Sequence, residues 1–459
     1  MNNSATSYRI NYICLTAAIG GLLFGFDTAV ISGAINLVKS QFSLNAILEG
    51  WLVSSGLVGC IIGVFMTGFL SDRIGRKKTM MLAGGMFFLS GIGCSFASSM
   101  TPLIVARVIG GIGVGMASVV SPMYIAEFAP ADKRGRMIAY YQLAITIGIL
   151  LAYFSNALLV SVSQNNFENA VFVWFFKEET WRPMFLAMSI PSFIFLIMVT
   201  KVPESPRWLV SINKREKAKK ILNSVRPPLQ AAVELQDIEN AAIKSIDKKI
   251  SIFDRSIRLP LIIGIVLAVL QQFSGINAII YYGPSIFKTA GIASNNALLF
   301  QVIIGAVNLL FTFVAIRSVD KYGRKFLLLT GLSGIIFSLI FCGFLFYTGH
   351  TDTILLLVLI LLFIACFAFS LGPVTWILIN EIFPTAIRVK AVSICTLALW
   401  IAVWIVGQFF PWLLEKGAAV TFWIFAAFSI INFFFSLKVV KETKGKSLEE
   451  MEDVFVVPH

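Results

Sequence analysis

Apolar runs of about twenty residues recur along the whole of this 459-residue chain, and that is the length a helix needs to cross a hydrocarbon core roughly 30 Å thick. Twelve runs are read, at approximately 11–35, 49–71, 79–99, 102–126, 137–160, 181–201, 259–287, 296–318, 326–347, 354–380, 391–413 and 418–438. Composition agrees, since 58% of residues are hydrophobic and only 13% are charged, whereas a soluble domain carries about 25% charged residues. The expectation is an all-α membrane protein. Its one long hydrophilic connection, 202–258, separates two six-helix halves, 1–201 and 259–438, and a polar tail follows at 439–459. Within that connection, 215–225 and 229–246 have helical periodicity and are expected to form short amphipathic helices.

The net charge of +13 does not point to nucleic acid, because the cations gather in alternate loops. Those at 72–78, 132–136, 202–258, 320–325 and 388–390 are strongly basic; the others hold scattered cations such as Lys39, Lys177, Lys288 and Lys416. By the positive-inside rule both termini and the central connection are expected in the cytoplasm, with the chain multi-pass in the cell membrane. The N-terminus is short and polar and the first apolar run is long enough to span, so no cleaved signal peptide is expected. All six cysteines, Cys14, Cys60, Cys94, Cys342, Cys366 and Cys395, fall in apolar runs, which suits small packing residues better than disulfides or a metal site.

Within 20–33, GGLLFGFDTAVISG, a single carboxylate, Asp27, interrupts an apolar stretch. A charge at the bilayer centre costs roughly 2.5–3.5 kcal/mol on insertion scales, so such a residue is by default functional. A polar group merely bonded inside a bundle is the plainer account. Scarcity weighs against it: no second acid reads as comparably deep, and Arg107 is the one base well inside a span. One acid and one base suggest a protonatable pair, in which the cation lowers the acid's pKa while apolar burial raises it.

Two internal echoes relate the halves. GFLSDRIGRK (68–77) matches RSVDKYGRK (317–325), each just after the second span of its half. IAEFAPADKR (125–134) matches INEIFPTAIR (379–388), each after the fourth, so that Glu127 precedes Arg134 by the same interval as Glu381 precedes Arg388. Duplicated halves of this kind are common in secondary transporters.

The seventh run supplies three amides, Gln271, Gln272 and Asn277. Amides offer both donors and acceptors, which match hydroxyls without burying a charge. Glue between helices is the alternative, worth about 0.6 kcal/mol per bond; three amides in seven residues exceed what glue needs. Gly275 between them could permit a local helix break.

With these residues in view, the chain resembles the sugar porters of the major facilitator superfamily, over nearly its full length. The resemblance rests on GGLLFGFDTAVISG, GFLSDRIGRK, RVIGGIGVG from Arg107, PMYIAEFAPADKRGR, PESPRWL (203–209), QQFSGINAIIYYGP (271–284), VDKYGRK, GPVTWILINEIFP (372–384) and ETKGKSLEE. It is greatest to bacterial xylose–proton symporters and more distant to facilitative glucose transporters. It implies the twelve-helix major facilitator fold and proton-coupled import of a small neutral sugar or polyol by a monomer, with no cofactor. It also implies that Gln142, Asn308 and Trp376 join the three amides at the substrate, that Phe24, Tyr281, Tyr282 and Trp400 line an aromatic wall and outer gate, and that Asp27 and Arg107 couple the proton. Asp72, Arg73, Arg76, Glu127, Arg134, Arg136, Asp320, Arg324, Glu381 and Arg388 would form a cytoplasmic gate; as surface pairs each is worth only about 0–1 kcal/mol, and topology is their plainer role. The chain departs from the family in LALWIAVW (397–404), where Leu399 and Val403 stand at positions that relatives fill with amides, so the substrate is expected to be smaller, deoxygenated or differently oriented. Rival readings are a facilitative uniporter, a transporter-like sensor and a drug exporter. The short tail argues against the sensor, and the amides against the exporter. Glycine-rich GGIGVG (110–115) follows no strand and is read as close helix packing, not a dinucleotide site.

Overall fold

The computed structural model describes residues 3–130, 134–247, 255–349, 353–383 and 387–442, and among these the regular elements are all helices. That is what a lipid environment demands, because only internally bonded backbone can cross it without unsatisfied polar groups. The first five spans are α1 (Asn3–Gln41), α2 (Ala46–Ile74), α3 (Arg76–Ser95), α4 (Met100–Phe128) and α5 (Arg134–Val162). After the short α6 (Ala170–Phe172) and a wide turn at Val173–Glu178, α7 (Trp181–Ala187) and α8 (Ser189–Lys201) make the sixth. The hydrophilic connection carries α9 (Pro206–Ser211), α10 (Arg215–Val225) and α11 (Pro228–Asp247), the last two close to the expected bounds.

The seventh span is broken into α12 (Arg255–Gln272) and α13 (Ile276–Thr289), and α14 (Ser294–Tyr322) and α15 (Arg324–Thr348) follow. The tenth is broken as well, into α16 (Thr353–Phe369) and α17 (Leu371–Glu381), before α18 (Arg388–Lys416) and α19 (Ala418–Lys438). Eleven spans are long and apolar enough to cross a membrane among the described residues. The third expected span is α3, whose 20 residues reach about 30 Å at 1.5 Å each. Its bounds correct the expected 79–99: Phe96 caps the helix, and extended Ser99 starts the next.

The chain forms two compact units. The first comprises Met1–Asp27, Val58–Gly148 and Leu186–Lys249. In it α2 and α4 cross backbone to backbone: a Cβ on Gly59 would lie 2.2 Å from Val108 O, one on Gly63 2.3 Å from Ile112 O, and one on Gly115 2.2 Å from Cys60 O. Small residues four apart on both helices allow this approach, as is common between membrane helices. The hydrophilic connection closes its own apolar core from Trp208, Leu209, Ala218, Leu222, Ala231, Leu235 and Ile238. Arg226 fixes α10 to the end of α4, donating to Phe128 O at 2.8 Å and pairing with Glu234.

The second unit comprises Thr28–Leu57, Ile149–Phe185 and Ile250–His459. Segments from the first half of the chain are bound here to spans of the second. Gln408 on α18 donates to Ile47 O at 3.0 Å and accepts from Ser54 Oγ at 2.6 Å. Glu49 is also buried, with Lys39 Nζ 2.6 Å from its carboxylate and 3.6 Å from that of Glu415. Asp27 is therefore not the sole buried acid, as scarcity in the sequence had implied. Glu49 lies in the first turn of α2, at the end of its apolar run, where the lysine reaches it.

Candidate functional site

The first unit holds Asp27 on α1 and Arg107 on α4. Arg107 Nη1 lies 3.1 Å from Asp27 Oδ1, and each side chain is 5% exposed. The pair is thus a buried, hydrogen-bonded ion pair: removing one partner would strand a charge away from water, at a cost on the order of 3–5 kcal/mol. One turn along α4, a Cβ on Gly110 would come 3.2 Å from Asp27 Oδ1 and 2.4 Å from Ser90 Oγ. The glycine run read as a packing motif therefore makes room for the carboxylate as well as for the neighbouring helices. Phe24 on α1 and Gln142 on α5 are half-buried in the same unit.

The second unit holds the amides. Gly275, with φ +90°, ends the break between α12 and α13 in the left-handed region, which glycine enters without steric cost. Five residues apart, Gln272 and Asn277 would sit about 140° apart on a continuous helix. Across the break Asn277 Nδ2 donates to Gln272 Oε1 at 2.6 Å, Gln272 Nε2 to Gln271 Oε1 at 3.1 Å, and Gln271 Nε2 to Leu371 O at 2.7 Å. Gln271 and Gln272 are buried and Asn277 is half-buried, so the row runs from a buried carbonyl to a partly open amide. Its last acceptor opens α17, immediately after the break in the tenth span. There Ser370, with φ −122° and ψ −87°, leaves the helix and turns its hydroxyl back to Cys366 O at 2.7 Å. Two broken spans joined by an amide resemble the discontinuous helices that form substrate sites in secondary transporters.

Of the other candidates in this unit, Asn308 on α14, Tyr281 on α13 and Trp400 on α18 are buried, and Trp376 on α17 is half-buried. Leu399 and Val403 are buried beside Trp400 in the chain. Tyr281 stands edge-on to Tyr282, their ring centroids 6.4 Å apart.

The charged span ends are organised alike in both units. In the first, Arg76 Nε meets Glu127 at 3.2 Å and its Nη1 meets Asp72 at 3.1 Å. In the second, Arg324 Nη2 meets Glu381 at 3.2 Å. Arg73 lies over the Phe69 ring at 5.6 Å. The side chains of Arg134, Arg136, Asp320 and Arg388 lie outside the described residues. Two further acids complete the pattern. Glu204 Oε1 accepts from the backbone N–H groups of Arg76 (2.9 Å) and Lys77 (3.1 Å) at the start of α3. Glu442 accepts from those of Arg324 (2.8 Å) and Lys325 (3.0 Å) at the start of α15. Each helix follows a glycine, Gly75 or Gly323, at φ +94° or +91°. Each second residue, Lys77 or Lys325, also sends its Nζ to a carbonyl, Thr200 or Leu437, at 2.7 Å. The sequence signal for these acids is Val-x-Glu recurring at 202–204 and 440–442, after the sixth and twelfth spans.

Helical spans in this number, broken ones bearing amides, and a buried acid–base pair define a secondary transporter of the major facilitator fold. The family model for "Sugar (and other) transporter" matches residues 13–455. The chain is 42% identical over 455 residues to the arabinose–proton symporter of Bacillus subtilis, covering 98% of this chain and 96% of that one. It is 38% identical over 489 residues to the D-xylose–proton symporter of Escherichia coli, covering 98% and 97%. The inward open structure of the xylose transporter from Escherichia coli superposes with a TM-score of 0.83 at 37% identity, covering 97% of this chain and 100% of that one. The chain belongs to the sugar transporter family; it is a multi-pass membrane transporter and not an enzyme.

Proposed function

We propose that the protein is a proton-coupled symporter, importing a monosaccharide or related polyol by alternating access. Two six-helix halves, 1–201 and 259–438, would rock about a central site, with the connection 202–258, the tail 439–459 and both termini in the cytoplasm. The protein would work as a monomer in the cell membrane. Gln142, Gln271, Gln272, Asn277 and Asn308 would bond the hydroxyls, and the Trp376 indole would cover the apolar face of the ring. Phe24, Tyr281 and Trp400 would complete the aromatic wall, and the charged span ends would serve as the cytoplasmic gate.

The observation that carries the reading is the Arg107–Asp27 pair, in a chain whose relatives include named arabinose– and xylose–proton symporters. The guanidinium holds the ionised carboxylate, and a conformational change that separates them leaves a buried anion that takes up a proton. One proton crossing about 100 mV releases roughly 2.3 kcal/mol, enough for about fifty-fold accumulation of a neutral solute. The test uses proteoliposomes and D-xylose or L-arabinose. Asp27→Asn should abolish both sugar-induced alkalinisation and uphill uptake while sparing counterflow. Uphill uptake that survives the substitution overturns Asp27 as the coupling group, and wild-type protein that never alkalinises is a uniporter.

A further inference from the structure

α13 contains Pro284 and α18 contains Pro411. A proline has no N–H, so the carbonyl four residues earlier loses its intrahelical donor. Those carbonyls belong to Ile280 and Gly407. Both are buried, where an unsatisfied acceptor is costly. Each receives a tyrosine hydroxyl from another helix: Tyr153 on α5 donates to Ile280 O at 3.0 Å, and Tyr282 on α13 donates to Gly407 O at 2.6 Å. Tyr153 is 1% and Tyr282 0% exposed, so water does not replace these donors. Gln301 Nε2, at 3.4 Å, is a weaker second donor to Ile280 O.

We propose that Tyr153 and Tyr282 are positioning residues for α13, pegging it to α5 and α18 through the two carbonyls that Pro284 and Pro411 leave open. This rests on the reading above that α13, through Asn277, contacts the substrate. The arrangement fixes α13 laterally without a permanent link. Backbone bonds inside a helix persist through a rigid-body movement, whereas a hydroxyl reaching across from a neighbour lets go when the helices part. The prolines thus turn two intrahelical bonds into two releasable interhelical ones, two residues apart at Ile280 and Tyr282 within the helix that begins with the amide site.

The test is a double-substitution cycle on the full-length protein, read by hydrogen–deuterium exchange over 276–289 and by D-xylose uptake. Tyr153→Phe removes only the hydroxyl, and exchange in α13 should rise about fivefold, the worth of one neutral hydrogen bond. The KM for D-xylose should rise severalfold, with a smaller change in maximal rate, because the amide row is held less firmly. In a Pro284→Ala background the new N–H satisfies Ile280 O, and Tyr153→Phe should then change exchange by less than about 1.5-fold, since that carbonyl already has its donor. An equal effect in both backgrounds would mean that the tyrosine acts through its ring alone, and no effect in either would remove the peg; both results overturn the proposal. Tyr282→Phe against Pro411→Ala repeats the cycle, so a poorly folding variant in one pair leaves the other decisive. Because exchange needs no transport, failure of the symport reading would leave this result standing.

Discussion

Glu204→Ala is the most direct probe of how the charged span ends are built. The Glu204 Oε1 atom accepts three backbone N–H groups, from Arg76 at 2.9 Å, Lys77 at 3.1 Å and Ser205 at 2.8 Å. Two of these open α3, where no intrahelical acceptor exists. Loss of a side-chain cap costs about 1 kcal/mol, and a negative charge at a helix N-terminus contributes a further 0.3–1 kcal/mol or so. Hydrogen bonds to a charged group lie at about 1.5–3 kcal/mol, and the site is partly buried, so a total of about 2–3 kcal/mol is expected for Glu204→Ala. At roughly 1.36 kcal/mol per decade, amide exchange in the first turn of α3 should rise about 30- to 150-fold. Glu204→Gln keeps an acceptor and loses only the charge, so its rise should stay below about tenfold. Glu442→Ala should do the same to the first turn of α15, where Gly323 stands as Gly75 does before α3. Unchanged exchange in α3 after Glu204→Ala, or equal effects of Ala and Gln, would refute the carboxylate as an electrostatic cap.

Gly275→Ala should destabilise the second unit by about 2–5 kcal/mol, since the left-handed backbone costs a non-glycine residue about 1–2 kcal/mol and overpacking adds about 1–3 kcal/mol. The new Cβ would fall 2.6 Å from the Phe425 ring; a second substitution, Phe425→Leu, should therefore recover part of the lost thermal stability but not the backbone part. A pH-dependent effect is expected at Glu179, outside the spans. Burial pushes its carboxyl up, but hydrogen bonds from Gln41, Arg182 and Trp174 outweigh that and hold it below the usual range. A depressed carboxylate stabilises the fold above its unfolded pKa, about 4.3, and the stabilisation is lost as pH falls through the folded value. The melting-temperature gap between wild type and Glu179→Gln should thus be present at pH 7 and close below about pH 4; a gap that ignores pH would rule the ionised form out.

What the sequence determined by itself is what local chemistry fixes. Bilayer thickness sets the length of an apolar run and lipid forbids unpaired backbone, so the helical spans and the hydrophilic connection with α10 and α11 were legible. So was the break at Gly275, because glycine and the amides around it lie within one short stretch. Other features needed distant residues to meet. The break at Ser370 interrupts an almost wholly apolar run, and it acquires meaning only where Gln271, a hundred positions earlier, reaches Leu371 O. Glu204 and Glu442 read as ordinary loop acids until the starts of α3 and α15 are brought against them. Glu49 looks exposed at the edge of its run until Lys39 covers it, and Tyr153 is one more aromatic until Pro284 leaves Ile280 O open. In each case the partner lies far along the chain or on another helix, so its identity is set by how the helices pack and not by the pattern of any one segment.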